Sequence, residues 1–352
     1  MRHLIAALLI FSSPVFAETY CADSSAEILS AIASAQSSPG PSEIRIVQGV
    51  YDFTAPSATA AAIVITDNTG LKIVGGYGGG CGGVPTTLNP ELTLLRVGNS
   101  GRLMDMVFFA SATGDIEVSR LGLRQGTTTN SGQAGCLDIE GDVGATITVR
   151  LSHLAFRLCS STVGSGSALR VLGRGLRLEL VNSVFADNGS QGGAIFLAAN
   201  SSSIFYVTNN TVAFNPRPAA QQGPAGMQIT NLAGSGFFWI TNNVFYGNGN
   251  NANDTDLLYA SSAIGVVGSN IIGRSNPPPA GIADTGNSTA NPLLASSVNL
   301  RLPANSPARN VGNNSAAGGL PTLDFDGNTR LQGGRVDLGA FEFEELFANG
   351  FE

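Results

Sequence analysis

NSVFADN at 182–188, NNTVAFN at 209–215 and NNVFYGN at 242–248 decide the fold. Each stretch opens and closes on Asn and carries apolar residues between. The same frame extends back to SHLAFRL from Ser152 and SRLGLRQ from Ser119, and forward to SNIIGRS from Ser269. The markers at 119, 152, 182, 209, 242 and 269 are therefore separated by 33, 30, 27, 33 and 27 residues. A constant strand pattern at a variable step means that one loop per turn absorbs the insertions. A coiled solenoid tolerates this, whereas a propeller of four-stranded blades does not.

Each turn holds two further short strands with period-2 alternation, one before the marker (Thr146 to Leu151, Leu176 to Val181, Ile204 to Thr208, Phe237 to Thr241) and one after the variable loop (CLDI at 136, ALRV at 168, AIFL at 194, GMQI at 226). The expected fold is all-β, a right-handed parallel β-helix with three strands per coil. Ser119, Ser152, Asn182, Asn209, Asn242 and Ser269 are expected to stack at one corner as a structural ladder, bonding turn backbone that would otherwise be buried unpaired. Open ends of a solenoid need caps. Ser24 or Ser25 is placed to cap a helix through AEILSAIASAQ, with Ile28, Leu29 and Ile32 at helical spacing and SPGP at 38–41 ending it. The expected organisation is a signal peptide at 1–17, a cap helix within 18–40, the β-helix over 41–278, a distinct region at 279–343 and a tail at 344–352.

One Arg and one His precede the apolar run Leu4 to Phe11, and Val15, Phe16 and Ala17 form a small-residue cleavage site, so the mature chain is expected to begin at Glu18 and to be secreted. No later apolar stretch reaches the ~20 residues of a membrane span. Eighteen basic residues against 25 acidic, with Lys72 the single lysine, give no basic field, and this argues against a nucleic-acid partner. A composition of 43% hydrophobic and 12% charged residues with 45 Gly describes a chain that buries much of itself and turns often. The cysteines Cys21, Cys81, Cys136 and Cys159 admit three disulfide pairings; Cys21 with Cys81 and Cys136 with Cys159, neighbours along the chain, is the favoured one, and four buried thiols the alternative.

The body of the chain resembles the pectin-lyase-like right-handed β-helix superfamily. FADN at 185–188 followed by GGAI at 192–195 resembles repeats of polymorphic outer-membrane proteins and autotransporter passengers. NPLL at 291–294, LRLPANSPARNVG at 300–312 and LDFDGNTRLQGGRVDLGAFE at 323–342 resemble the choice-of-anchor Q region of bacterial secreted β-helix proteins, with Asn310 standing where that pattern usually has Asp. The ending FEELFANGFE is similar to short C-terminal tails of exported Gram-negative proteins, which implies a sorting signal or anchor and an extracellular or outer-surface location.

The hydrolase strings NTD, DD and GHG of that superfamily are missing from this sequence, and His153, the sole histidine after the leader, reads as a corner residue. In the third strand of each coil Leu137, Ile139, Leu169, Val171, Ile195, Leu197, Met227 and Ile229 alternate inward. Asp138, Arg170, Phe196 and Gln228 then point outward, and Asp105 joins them one coil earlier. This column could be a saccharide groove, with Phe196 a stacking surface. The resemblance to the superfamily's lyases implies a candidate base in Arg170 and a calcium ion held by Asp105, Asp138 and Asp142; Asp138, Glu140 and Asp142 also alternate in sequence and so bring oxygen ligands together as calcium requires. The simpler account is a solvated sheet face with an Asp138–Arg170 cross-rung pair. Asp324, Asp326 and Asn328 alternate like a calcium loop, but Gly327 comes too early for an EF-hand, and a turn capping the last coil is expected. The expected function is non-enzymatic binding of polysaccharide or other cell-surface material. A calcium-dependent lyase acting on a uronate polymer and a purely structural stalk are the alternatives.

Overall fold

The computed structural model describes residues 18–344 apart from 67–68, 99, 113, 143, 201, 218–222 and 235. The expected signal peptide at 1–17 and tail residues 345–352 lie outside the described residues. The chain forms a parallel β-helix of about 7 turns. The first face is a seven-strand parallel sheet from Ala61–Ile65 through Arg102–Phe108, Leu137–Gly141, Leu169–Gly173, Ile195–Asn200 and Pro224–Ala233 to Thr255–Tyr259. The second face stacks Glu18–Ala22, Ser42–Val47, Leu71–Tyr77, the first halves of Ile116–Arg124 and Thr148–Arg157, Arg177–Val181, Ile204–Thr208, Phe237–Thr241, Gly265–Gly268 and Ile282–Thr285. After the corner, the second halves of the two long strands continue as a third face with Val184–Ala186, Thr211–Ala213, Val244–Tyr246 and Ile271–Ile272.

Strand Glu18–Ala22 pairs with Ser42–Val47 ahead of the expected first strand, so the solenoid begins before its cap helix rather than after it. The helix Ser25–Ser37 is capped by Ser24, whose Oγ accepts from the Glu27 amide at 3.3 Å, while the Glu27 carboxylate accepts from the Asp23 amide at 2.9 Å. It buries Ile28, Ala31, Ile32 and Ala35; Leu29 faces outward. Disulfides join Cys21 to Cys81 and Cys136 to Cys159. Among the described residues no helix is long and apolar enough to cross a membrane.

The ladder sits beside the residues expected to make it. The corner residues with left-handed backbone are Arg120, His153, Asn182, Asn209, Asn242 and Ser269 (φ between 47° and 62°), so Ser119 and Ser152 fall one residue early, in register with Val181. Asn tolerates this conformation because its short amide bonds locally, which is why it recurs there. The stacked amides belong to the following residue. Asn210, Asn243 and Asn270 each donate a side-chain amide to the asparagine of the next coil at 2.9–3.1 Å, ending on Asn287, and all four accept the preceding coil's backbone N–H. A second buried ladder runs Asn188, Asn215, Asn248 and ends on Asp256, which accepts two bonds. A terminal rung needs only to accept, and a carboxylate does so.

The side chains of Asn182, Asn209 and Asn242 keep one long rung-to-rung bond, Asn242 Nδ2 to Asn209 Oδ1 at 3.4 Å, and otherwise turn outward and hold the C-terminal region. They donate to carbonyls of Leu323, Asp337 and Asn313 at 2.5, 3.1 and 2.9 Å. Residues 286–343 thus fold back along the outside of the solenoid as a strap, covering the apolar outer side of the third face: Leu300, Phe325 and Phe341 pack on Ala155, Val184, Ala186 and Ala213, and Leu302 and Leu338 on Val244 and Ile271. The Asp324 loop therefore lies against the coil of His153, not on the last coil, and its carboxylate is spent on the amides of Asp326, Asn328 and Glu342.

Candidate functional site

On the first face the parallel register aligns Val64, Asp105, Asp138, Arg170, Phe196, Gln228 and Leu258 in one outward column, with inward neighbours such as Leu137, Leu169 and Ile195 fully buried. Outward does not mean solvated here. Arg102, which the sequence pattern did not single out, is 1% exposed and lies across the top of the two aspartates. Its Nη1 donates to Asp105 Oδ2 at 2.7 Å, Nη2 also holds Asp105 Oδ1 and lies 3.4 Å from Asp138 Oδ2, and Nε donates to the Ala134 carbonyl at 3.0 Å. Arg170 Nη1 donates to Asp138 Oδ1 at 2.7 Å, and the Ala134 amide donates to Oδ2 at 2.7 Å. Two carboxylates one strand spacing apart repel, and a guanidinium on either side offsets that. Burial raises the Asp105 carboxyl to about 6 and moves Asp138 the same way, with the arginines pulling against it.

This closed network corrects the reading of Asp138 and Arg170 as surface groups: they are 5% and 9% exposed. A calcium ion does not fit it. The oxygens a cation would need are taken by two guanidiniums and an amide, and among the described residues no three His, Cys, Asp or Glu side chains converge to hold a metal. Glu140 is half-buried and Asp142 exposed, apart from Asp138 beneath Arg102. Arg170, committed to Asp138, lacks a free position as a base. Phe196 and Gln228 remain half-buried, with Gly166 lying over the Cβ of Phe196.

The second face carries a column that sequence reading passed over. Its outward residues run Glu43, Lys72, Glu117, Arg150, Glu179, Tyr206, Trp239, Val266 from coil to coil. The first five alternate in charge, as cross-strand neighbours should. Arg150 bonds Glu179 at 2.9 Å and Asp115 at 2.7 Å, and Lys72 reaches Glu117 at 3.7 Å. The column then turns aromatic. Arg177 lies 4.2 Å from the centroid of Tyr206, and Phe237 sits 5.1 Å from Trp239, with Ile204 37% exposed beside them. The signal was present in FFWIT at 237–241: burying Phe238 and Ile240 puts Phe237 and Trp239 outside.

Where the strap passes the corner, a groove of about 390 Å³ opens between it and the second face, lined by Glu117, Arg120, Ser152, His153, Pro321 and Leu323 among others. His153 Nε2 lies 3.0 Å from the Asp324 carbonyl, and burial lowers the imidazole to about 4. The ring is thus neutral at pH 7, donating from Nε2 and leaving Nδ1 as an acceptor. Arg120 makes no hydrogen bond or salt bridge with any described residue, and its Nε is buried without a partner. Comparison with family models, curated proteins and solved structures returns no match for this chain.

Proposed function

We propose that this is a secreted, extracellular or surface-exposed β-helix protein that binds polysaccharide and does no chemistry on it. The observation that carries the reading is the half-exposed aromatic row of the second face, Tyr206, Phe237 and Trp239 with Ile204, presented on a parallel sheet whose strands repeat every ~4.8 Å. Flat rings on a rigid surface favour the apolar faces of sugars, and a sheet locked by two asparagine ladders loses little freedom on binding. The non-enzymatic side of the proposal rests on the first face, where the groups a lyase would use neutralise one another. Two disulfides suit an oxidising compartment. The coil pattern of the body carries our reading of a pectin-lyase-like protein, and the residue patterns at 291–342 that of a choice-of-anchor Q-like C-terminal region.

Trp239 is the single tryptophan of the chain, so its fluorescence reports on this row directly. A panel of neutral and acidic glycans should contain a polymer that shifts its emission, and Trp239→Ala should abolish binding of that polymer in calorimetry while the far-ultraviolet β signature of the fold persists. Failure of every polymer to bind, or binding indifferent to Trp239→Ala, refutes the reading. Release of an unsaturated product absorbing in the ultraviolet from a uronate polymer would instead establish the lyase alternative.

A further inference from the structure

We infer that the groove between the strap and the third face is a docking site for the chain's own C-terminal segment, residues 345–352. The groove encloses about 500 Å³. Its floor is apolar: Val184 of the third face meets Leu300, Phe325 and Phe341 of the strap, and Leu158 and Val298 stand at its edges, 52% and 80% exposed. Farther along, the strap seals the outer side of this face, with Leu302 and Leu338 on Val244 and Ile271. Here it leaves apolar surface facing solvent, which a further segment would bury. The charges around the rim are already met: Glu91 holds Arg124 and accepts from Arg157 at 2.8 Å, and Asp326 accepts from Arg301 at 2.6 Å. The occupant is therefore selected by its apolar groups.

The end of the described chain singles out that occupant. Phe341 lies in the groove wall, and Glu342, Phe343 and Glu344 run along an adjoining cleft of about 470 Å³ that shares Asn89 and Arg301 with it. Residues 345–352 follow directly on Glu344, at the mouth of the groove. Eight extended residues reach up to ~28 Å. Arg124, Arg157 and Ala186, cross-strand partners on successive coils beside the groove, span only ~10 Å at ordinary strand spacing. The sequence ELFANGFE supplies three large apolar side chains, Leu346, Phe347 and Phe351, and no cation. It extends the strap's own mode of attachment, in which Phe341 meets Phe325 with ring centroids 5.1 Å apart, and Arg301 and Arg309 lie over Phe341 and Phe343 at 5.3 and 3.9 Å. A tethered segment needs little intrinsic affinity, because its effective concentration is on the order of millimolar.

The test is fluorescence polarisation of a labelled peptide, Glu345 to Glu352, against the full chain and against the full chain carrying Leu346→Ser, Phe347→Ser and Phe351→Ser together. The inference expects the peptide to bind the triple variant one to one and about tenfold or more tighter than the wild type, whose own segment competes for the groove. Leu158→Asn or Val298→Asp, each added to the triple variant, should weaken that binding by about tenfold or more, because apolar burial is lost. Asparagine suits the left-handed φ of 57° at residue 158, and Val298 is 80% exposed, so the fold should hold. Thermal melts check it, and either variant decides if the other does not fold. No peptide binding by the triple variant, equal binding by wild type and triple variant, or binding indifferent to both groove changes overturns the inference. Sedimentation identifies a second copy as the host: a wild type that dimerises while the triple variant stays monomeric overturns docking within one chain.

Discussion

Replacing Asn243 with alanine isolates what a ladder rung contributes. Its Nδ2 donates to the carbonyls of Val207 and Thr241 and to Asn270 Oδ1 at 2.8, 3.0 and 3.0 Å, and its Oδ1 accepts from the backbone N and Nδ2 of Asn210 at 2.8 and 3.1 Å. The residue is 0% exposed, so bulk water does not replace these bonds. Alanine orphans the Asn210 backbone amide, a penalty of about 1–3 kcal/mol, and removes bonds to two buried carbonyls worth about 1 kcal/mol each, for a loss of about 3–5 kcal/mol. Asn242→Gly is the control. It deletes the bonds between Asn242 and Asn313 at 2.7 and 2.9 Å and a long one to Asn209 Oδ1 at 3.4 Å, while glycine accepts the φ of 62°, so the loss should be about 1–2 kcal/mol and fall mainly on strap docking. Urea unfolding followed by Trp239 emission reads the first effect, because strand Phe237–Thr241 runs straight into this corner. Solenoids can unfold coil by coil, so amide exchange at Asn210 supplies a local reading. An Asn243→Ala loss below about 1 kcal/mol, or an Asn242→Gly loss as large, refutes the assignment of the ladder to the second asparagine.

Burial holds Asp105 at about 6 and Glu342 at about 7 and raises Asp138 and Asp337, so the native chain keeps protons that the unfolded chain has lost. Their contribution to stability therefore falls as pH rises from about 4 to about 7, and four carboxyls outweigh the single imidazole of His153, which burial holds at about 4 and which adds stability with rising pH; the melting temperature should be higher at pH 5 than at pH 8 and Glu342→Gln should flatten the upper part of the slope, whereas a rise over this interval contradicts it. Calcium and a chelator should each leave the melting temperature unchanged, and a calcium-dependent rise would show that Asp105 and Asp138 are free to ligate. The disulfides close separations of 60 and 23 residues. Reduction should cost about 4 kcal/mol through Cys21–Cys81 and about 3 through Cys136–Cys159, measured on Cys-to-Ala pairs in urea, with no loss in either pair contradicting the chain-entropy argument. Ile195→Ala should lose about 2–5 kcal/mol by opening a cavity inside the wall, and its outward neighbour Phe196→Ala less than about 1.5; equal losses would mean the inward and outward assignment is inverted.

Much of the wall was legible. Alternation placed Leu137, Leu169, Ile195 and Met227 inside, and the 33-residue step placed Asp105 in register with Asp138. The corner was legible only to within one residue. Aligning Ser119 and Ser152 with Asn182 satisfied the polar pattern, but the left-handed position is occupied by Arg120 and His153 in those coils, and backbone conformation has no polarity signature. The run SVFA, apolar on both sides of its strand, already implied that the third face is covered outside as well as inside.

By itself, then, the sequence determined the coil, because a period-2 pattern repeated at every turn leaves each side chain on one side or the other of a sheet wall. What happens outside the wall was decided by tertiary structure. Arg102 closes over Asp105 and Asp138 by grasping Ala134 some 32 residues away, and Arg330 reaches Asn182 across 148 residues while buried against Glu342. Such contacts carry no local period. They depend on where a loop and a strap come to rest, and that resting place separated a column of charges consumed in holding the protein together from Arg120, which lies at the edge of a groove near Glu117 with no hydrogen bond or salt bridge to any described residue.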